Sequence, residues 1–175
     1  LTGELTSGQI RALTSAQIIA LSSSQIDAFS SSQLQAFGTG QIKFIEPSDL
    51  STTQLQRLSS GQVAALTTSQ LAVQSLGDLT SSQVAHLNSA QFAAFDNSDL
   101  AALGSKVSNL STSLLANLST KFLDWLSSSQ IQQLTSSQIG ALTTGQVRSI
   151  ATDLIAHLES SQWSAVTTSQ ITALG

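Results

Sequence analysis

The chain has no cysteine and no methionine. That excludes a disulfide framework and a cysteine-ligated metal site, and it fits an exported chain that needs no bridges. Charge is scarce: 9% of the 175 residues are Asp, Glu, Lys or Arg, against about 25% in an ordinary domain. The six basic residues, Arg11, Lys43, Arg57, Lys106, Lys121 and Arg148, are scattered, and the formal net charge is −4. Nucleic-acid backbones are held by clustered Lys and Arg, so no nucleic-acid partner is expected. No apolar run approaches the ~20 residues of a transmembrane helix, and no membrane insertion is expected. No signal peptide is visible ahead of Leu1, which reads as a mature chain or an excised segment. An apolar content of 41% is too high for a disordered stalk rich in Ser and Thr.

What the chain has is repetition. Gln recurs every eight residues at 9, 17, 25, 33 and 41, then at 54, 62 and 70, at 83 and 91, at 130, 138 and 146, and at 162 and 170. Around each Gln the pattern is Leu, Ser or Thr, any residue, a small residue, Gln, Ile/Val/Leu, any residue, Ala. Residues 13–20 read Leu-Thr-Ser-Ala-Gln-Ile-Ile-Ala, and residues 134–141 read Leu-Thr-Ser-Ser-Gln-Ile-Gly-Ala. Asp replaces Gln at 49, 78 and 99, and the next Gln follows Asp49 and Asp78 after only five residues. The array is expected to be one domain over 1–175. Its degenerate repeats lie near 43–50, 71–79, 96–126 and 149–158.

The octad spells a helix start. Thr14 is placed to accept from the Gln17 amide while Gln17 returns a bond to the Thr14 amide, which is a capping box. Thr6 with Gln9 and Ser22 with Gln25 repeat it, and Gln33, Gln41, Gln62, Gln70, Gln83, Gln91, Gln130, Gln138, Gln146, Gln162 and Gln170 stand at the same position of their repeats. Leu13 before the cap and Ile18 after it stand at hydrophobic-staple positions, as do Leu5 with Ile10 and Leu21 with Ile26. A helix is thus told to start every eight residues, leaving each about six residues or ~9 Å long. Asp at 49 and 78 predicts tighter corners.

One long helix is disfavoured, because Ser/Thr pairs are poor helix interior and an octad drifts about 80° per repeat on a 3.6-residue helix. A β-solenoid is the stronger rival, but Ala and Gln are depleted in strands. Ordering eight residues costs about 12 kcal/mol, whereas burying a Leu and an Ile returns about 4–6 kcal/mol. Neighbouring repeats must therefore share apolar faces. The expected fold is all-α, an array of very short capped helices, one per eight residues, wound into a solenoid or compact superhelix. The small residue before each Gln, such as Gly8, Ala16, Gly61 and Ser137, is read as a point where another backbone passes close.

No catalytic, cofactor-binding or metal-binding residue is expected. His86 and His157 read as ordinary, partly buried histidines rather than haem ligands. No HExxH, phosphate loop or GxSxG elbow occurs. Trp163 stands at the Ile position of its repeat and reads as core. Leu114, Leu115, Phe122, Leu123 and Trp125 form the most apolar and least repetitive stretch, with core and an interface between chains both open as readings.

The Leu-Thr-x-x-Gln-Ile-x-Ala-Leu octad at 13–21 and 134–142 resembles repeats of very large secreted or surface proteins of bacteria, often labelled haem-utilisation or adhesion-like exoproteins. The resemblance implies a secreted structural repeat and no catalytic residues, and no residue here matches a haem site. The expected function is a non-enzymatic extracellular structural protein, a subunit of a self-assembling filament or sheath, or an adhesin stalk. Its partner would be further copies of itself. The alternative is a module that binds a glycan, a solid surface or ice through its Ser/Thr/Gln face.

Overall fold

A computed structural model describes residues 2–150 and 155–174. Eighteen α-helices of four to seven residues lie among them, with four short 3-10 helices and no strand. The first regular helix, Ser7–Ala12, shows why each is so short. It ends on Leu13 (ψ 132°), and the next begins from Thr14 (ψ 161°). Two consecutive extended residues break the α-helical path, and the Leu-Thr pair thereby forms the corner. Helix Ser15–Ile19 follows directly, and later helices such as Ser60–Ala65 and Ser136–Ala141 are bounded in the same way. At the two five-residue spacings the α-helix gives way to 3-10 turns, Pro47–Asp49 and Leu76–Asp78. These are the tighter corners expected there.

Packing divides the chain into two compact units, Leu1–Phe95 and Asp96–Gly175, here the N lobe and the C lobe. The boundary falls at the start of the degenerate stretch 96–126. The degenerate repeat near 149–158 lies partly outside the described residues.

Within the N lobe most helical elements pack on the third element after them. Ser7–Ala12 lies against Ser31–Ala36, which lies against Thr52–Arg57. Thr39–Ile42 lies against Ser60–Ala65, which lies against Ser81–Val84. The C lobe repeats the rule: Thr112–Asn117 packs on Ser136–Ala141, which packs on Ser160–Trp163, and Thr144–Ser149 packs on Thr168–Ala173. Three helices therefore make one coil in each lobe. Regular coils advance by 24 residues, as from Ser7 to Ser31. Coils that include a 3-10 corner advance by 21, as from Ser31 to Thr52. The shorter corner changes the length of a coil and keeps the count of three.

The core consists of the Ile and Leu positions of the octad. Ile10, Ile18, Ile26, Leu34, Ile42, Leu55, Val63 and Leu71 fill it in the N lobe; Val107, Leu115, Leu123, Ile131 and Ile139 do so in the C lobe. Burial of this kind is what a four- to seven-residue helix needs, since helices so short are marginal alone.

Three expectations are corrected. The small residue before Gln is exposed in every regular repeat, and a Cβ added at Gly40 or Gly61 would meet nothing within 4 Å. Small residues there suit a solvated first turn. The close backbone approach occurs two residues after Gln, where a Cβ on Gly140 would come 3.2 Å from the Ala165 carbonyl oxygen of the next coil. Trp163 is 40% exposed and is not core. His86 and His157 are both exposed rather than partly buried.

Candidate functional site, a buried glutamine ladder

Capping boxes form as the octad requires. The Thr6 and Thr14 amides donate to Oε1 of Gln9 and Gln17 at 2.8 and 2.9 Å, and the Ser22 amide donates to Gln25 at 2.8 Å. The Gln9 and Gln17 amides donate back to the Thr hydroxyls at 3.3 Å. At the head of the C lobe two aspartates replace the pair. Asp96 accepts from the Ser98 hydroxyl at 2.7 Å and from the Ser98 and Asp99 amides, while its own amide donates to Asp99. The Ser98 hydroxyl and the two amides hold the Asp96 carboxyl below the usual carboxylate range.

The cap uses only the carbonyl half of the Gln amide, and the other half reaches out of the helix. Gln41 Nε2 donates to the carbonyls of Ile10 and Leu13 at 3.1 and 2.9 Å. Gln62 donates to Leu34 and Phe37, both at 2.8 Å. Gln70 takes Ile42 and Ile45, Gln83 takes Leu55 and Leu58, and Gln91 takes Val63 and Leu66. In the C lobe Gln138 takes Val107 and Leu110, Gln146 takes Leu115 and Leu118, Gln162 takes Ile131 and Leu134, and Gln170 takes Ile139 and Leu142. Gln33 and Gln130 reach the neighbouring coil in the same way, at Leu5 and Leu100. The acceptors are chiefly the Ile-position and Leu-position carbonyls at the C-terminal end of a helix in the preceding coil, with Gln33, Gln41 and Gln162 also reaching the Gly3, Arg11 and Gln132 carbonyls. The Ile-position carbonyl also accepts from the amide of the Leu position, as Leu34 does from Phe37, and the carbonyls beyond it are ones a helix end leaves without intrahelical partners.

One side chain thus closes the N-terminus of its own helix and the C-terminus of a helix one coil away. Gln62 uses its whole hydrogen-bonding capacity. Oε1 accepts from the Ser59 amide at 2.9 Å and from the Ser59 hydroxyl at 3.0 Å, and Nε2 makes its two donations. An amide has two acceptor sites and two donors, so nothing is left over. This is how Gln62, 2% exposed, is buried without the penalty of an unpaired polar group. Among the described residues no buried side-chain nitrogen or oxygen lacks a partner. Gln35 and Gln56, outside the cap position, add bonds to the Arg57 and Asp78 carbonyls in the following coil.

The ladder is open at two places. Gln9 and Gln17 are exposed, and their Nε2 groups donate to nothing among the described residues. In the last coil of the C lobe the carbonyls of Trp163, Val166 and Ile171 receive no side-chain amide among the described residues. Trp163, Ile171 and Leu174 are 40, 48 and 36% exposed there.

The apolar group 114–125 resolves differently from an interface. Leu115 and Leu123 occupy the Ile position and are fully buried, while Leu114 and Phe122 occupy the Gln position and are each 4% exposed. None of the four offers a free surface. Trp125 is half-buried, with the Lys121 ammonium 5.0 Å from its ring centroid. A cleft of about 320 Å³ beside Trp125 is lined by Ser, Gln, Ala and Gly and holds no ionisable side chain. The His86 ring packs its Nδ1 2.8 Å from the Ser82 carbonyl oxygen. Among the described residues no three His, Cys, Asp or Glu side chains converge on a common point. No helix there is long and apolar enough to cross a membrane.

Residues 3–39 match a family model described as the ALTTAQ repeat. The match covers the first coil and the first helix of the second, where the octads are most regular, and supports reading the chain as a repeat protein. No curated protein and no solved structure matches the chain.

Proposed function

We propose that the chain is a non-enzymatic structural element of the cell exterior, built of short helices that wind three to a coil within each lobe, serving as filament or sheath subunit or as an adhesin stalk. The observation that carries this reading is the internal use of the inner coils' Gln amides. From Gln62 onward each buried Gln closes its own cap through Oε1 and ties a neighbouring coil through Nε2. A side chain engaged at all its donors and acceptors has nothing to offer a substrate. The clefts beside Trp125 and beside Ala72 have no ionisable lining, so neither holds a general acid or base. Scarce charge and missing cysteine support an exported location, and the resemblance to bacterial exoprotein repeats points the same way.

Negative-stain electron microscopy of the purified chain, with light scattering over a concentration series, tests the reading. Particles or filaments of constant width, formed without any ligand, are expected. Saturable binding of a monomer to a glycan, a mineral surface or ice would replace this reading with that of a binding module.

A further inference from the structure

The Gln ties run between neighbouring coils. Resting on the structural reading above, we infer that the chain is a force-extensible element, whose coils peel away one at a time under tension and wind back when tension falls.

Two separable sets of bonds hold each coil. The cap is internal to a helix: Ser59 and Gln62 close theirs across three residues. The ties leave the coil and go no further than the adjacent one. The amides of Gln41, Gln62, Gln83 and Gln138 reach back 25 to 31 residues, which is one coil and part of a helix. Arg57 and Gln74 add bonds of similar reach, to the Phe29 and Leu50 carbonyls 28 and 24 residues back. Helix packing obeys the same limit. Ser31–Ala36 lies between Ser7–Ala12 and Thr52–Arg57, and Ser136–Ala141 lies between Thr112–Asn117 and Ser160–Trp163. No principal contact among the described residues joins a coil to the coil after next. With no cysteine in the chain, no disulfide does so either.

Coupling of this kind makes stability a sum over coils and the junctions between them. Tension along the chain loads the junction of the outermost folded coil of a lobe. When its ties part, the coils behind keep their own caps, ties and buried Ile and Leu positions. The detached coil does not stay folded, because helices of four to seven residues are marginal alone, so its whole length is released. Rewinding needs only contacts about one coil apart in sequence, the local kind that form fast.

The step size follows from the coil. A regular coil of 24 residues, drawn out at ~3.3–3.6 Å per residue less the ~9 Å that packed helices already span, adds about 75 Å. A coil with a 3-10 corner has 21 residues and adds about 65 Å.

The full chain, held between two handles in an optical trap and stretched slowly, tests this. The expected trace is a staircase of steps of about 65–75 Å that retraces on relaxation. Gln62→Ala removes the ties to the Leu34 and Phe37 carbonyls; it should lower the force of one step and leave the step sizes unchanged. If circular dichroism shows that variant unfolded, the steps of the unaltered chain decide alone. Opening of the N lobe, Leu1–Phe95, in one event of about 300 Å would overturn the inference. So would a lower force at every step of Gln62→Ala. Either result leaves the structural reading standing, with a stalk or filament that does not extend coil by coil. Saturable ligand binding by a monomer, the result that removes that reading, is a separate measurement.

Discussion

Replacing Gln62 by alanine removes four hydrogen bonds from one buried position, and the structure fixes which groups suffer. The Leu34 carbonyl keeps a partner, since it also accepts from the Phe37 amide at 3.2 Å. The Ser59 amide loses Gln62 Oε1, and the Phe37 carbonyl loses Nε2. Two backbone groups are stranded in a site where the native side chain is 2% exposed, and each costs about 1–3 kcal/mol. The one lost methylene costs about 0.8 kcal/mol, and the side-chain entropy released offsets about 1.5–2 kcal/mol. Taking the middle of each range, the expected loss is about 3 kcal/mol. Gln17→Ala is the internal control. Gln17 makes the same cap to Thr14 but is exposed, and its Nε2 has no carbonyl to lose. Its truncation should cost only a cap contribution, about 0.5–1 kcal/mol. Urea denaturation followed by far-ultraviolet circular dichroism measures both. Both tryptophans lie in the C lobe, so their fluorescence provides a separate signal for that lobe. Equal losses for Gln62→Ala and Gln17→Ala, within ~0.5 kcal/mol, would mean that the bonds between coils carry no stability beyond the caps, and the ladder argument would fail.

Gln62→Glu should be pH-dependent. Only the protonated acid can donate to the Leu34 and Phe37 carbonyls, so its folded pKa is raised above the ordinary ~4.3; stability is then retained below about pH 4 and lost as pH rises through the folded pKa, which a pH series of urea midpoints detects. Gly61→Ala should stabilise by about 0.5–1 kcal/mol, because the site is helical and open. Gly140→Ala should gain less than Gly61→Ala in the same assay, since its Cβ meets the Ala165 carbonyl oxygen at 3.2 Å. For Asp96 the folded pKa is depressed, so its contribution is present at neutral pH and lost as pH falls through that depressed value. Asp96→Ala should lower the melting temperature at pH 7 and flatten its fall between pH 6 and pH 2.

Helix class, helix length and corner positions were legible because they are local. A capping box joins residues three apart, so Thr14 and Gln17 declare it without help from the rest of the chain. The coil of three helices depends on contacts 21 to 24 residues away, and no short window of sequence contains it. One signal did point across the coils. Glu would close the same capping box and would suit the positive end of a helix better, yet the cap position reads Gln at 9, 17, 25, 33 and 41 and never Glu. The choice has a reason only if the amide's N–H groups are also used. Trp163 and the stretch at 114–125 show the opposite difficulty. Trp163 stands at a core position and is open because it lies in the last coil, whereas Leu114 and Phe122 stand at a polar position and are buried. Burial here follows from where a coil sits in the stack, which the octad does not encode.

The stretch between Gln91 and Gln130 shows which part of the octad does what. A run of coils is tied together wherever a repeat supplies a neutral amide ahead of its apolar residue. From Gln91 to Gln130 that supply stops. The residues preceding the core positions Leu100, Val107, Leu115 and Leu123 are Asp99, Lys106, Leu114 and Phe122. Carboxylate, ammonium and hydrocarbon side chains cannot combine an acceptor for the local cap with two donors for a neighbouring helix end. The boundary between the compact units lies at the head of this stretch, between Phe95 and Asp96. Inside the C lobe the tie resumes with Gln130 on Leu100 and Gln138 on Val107 and Leu110. Asp99 still closes a cap with Asp96, so helices continue to form through the stretch without a Gln. Helix formation and coil cohesion are therefore separable in this repeat. The hydroxyl and Gln Oε1 specify the first, and Gln Nε2 adds the second.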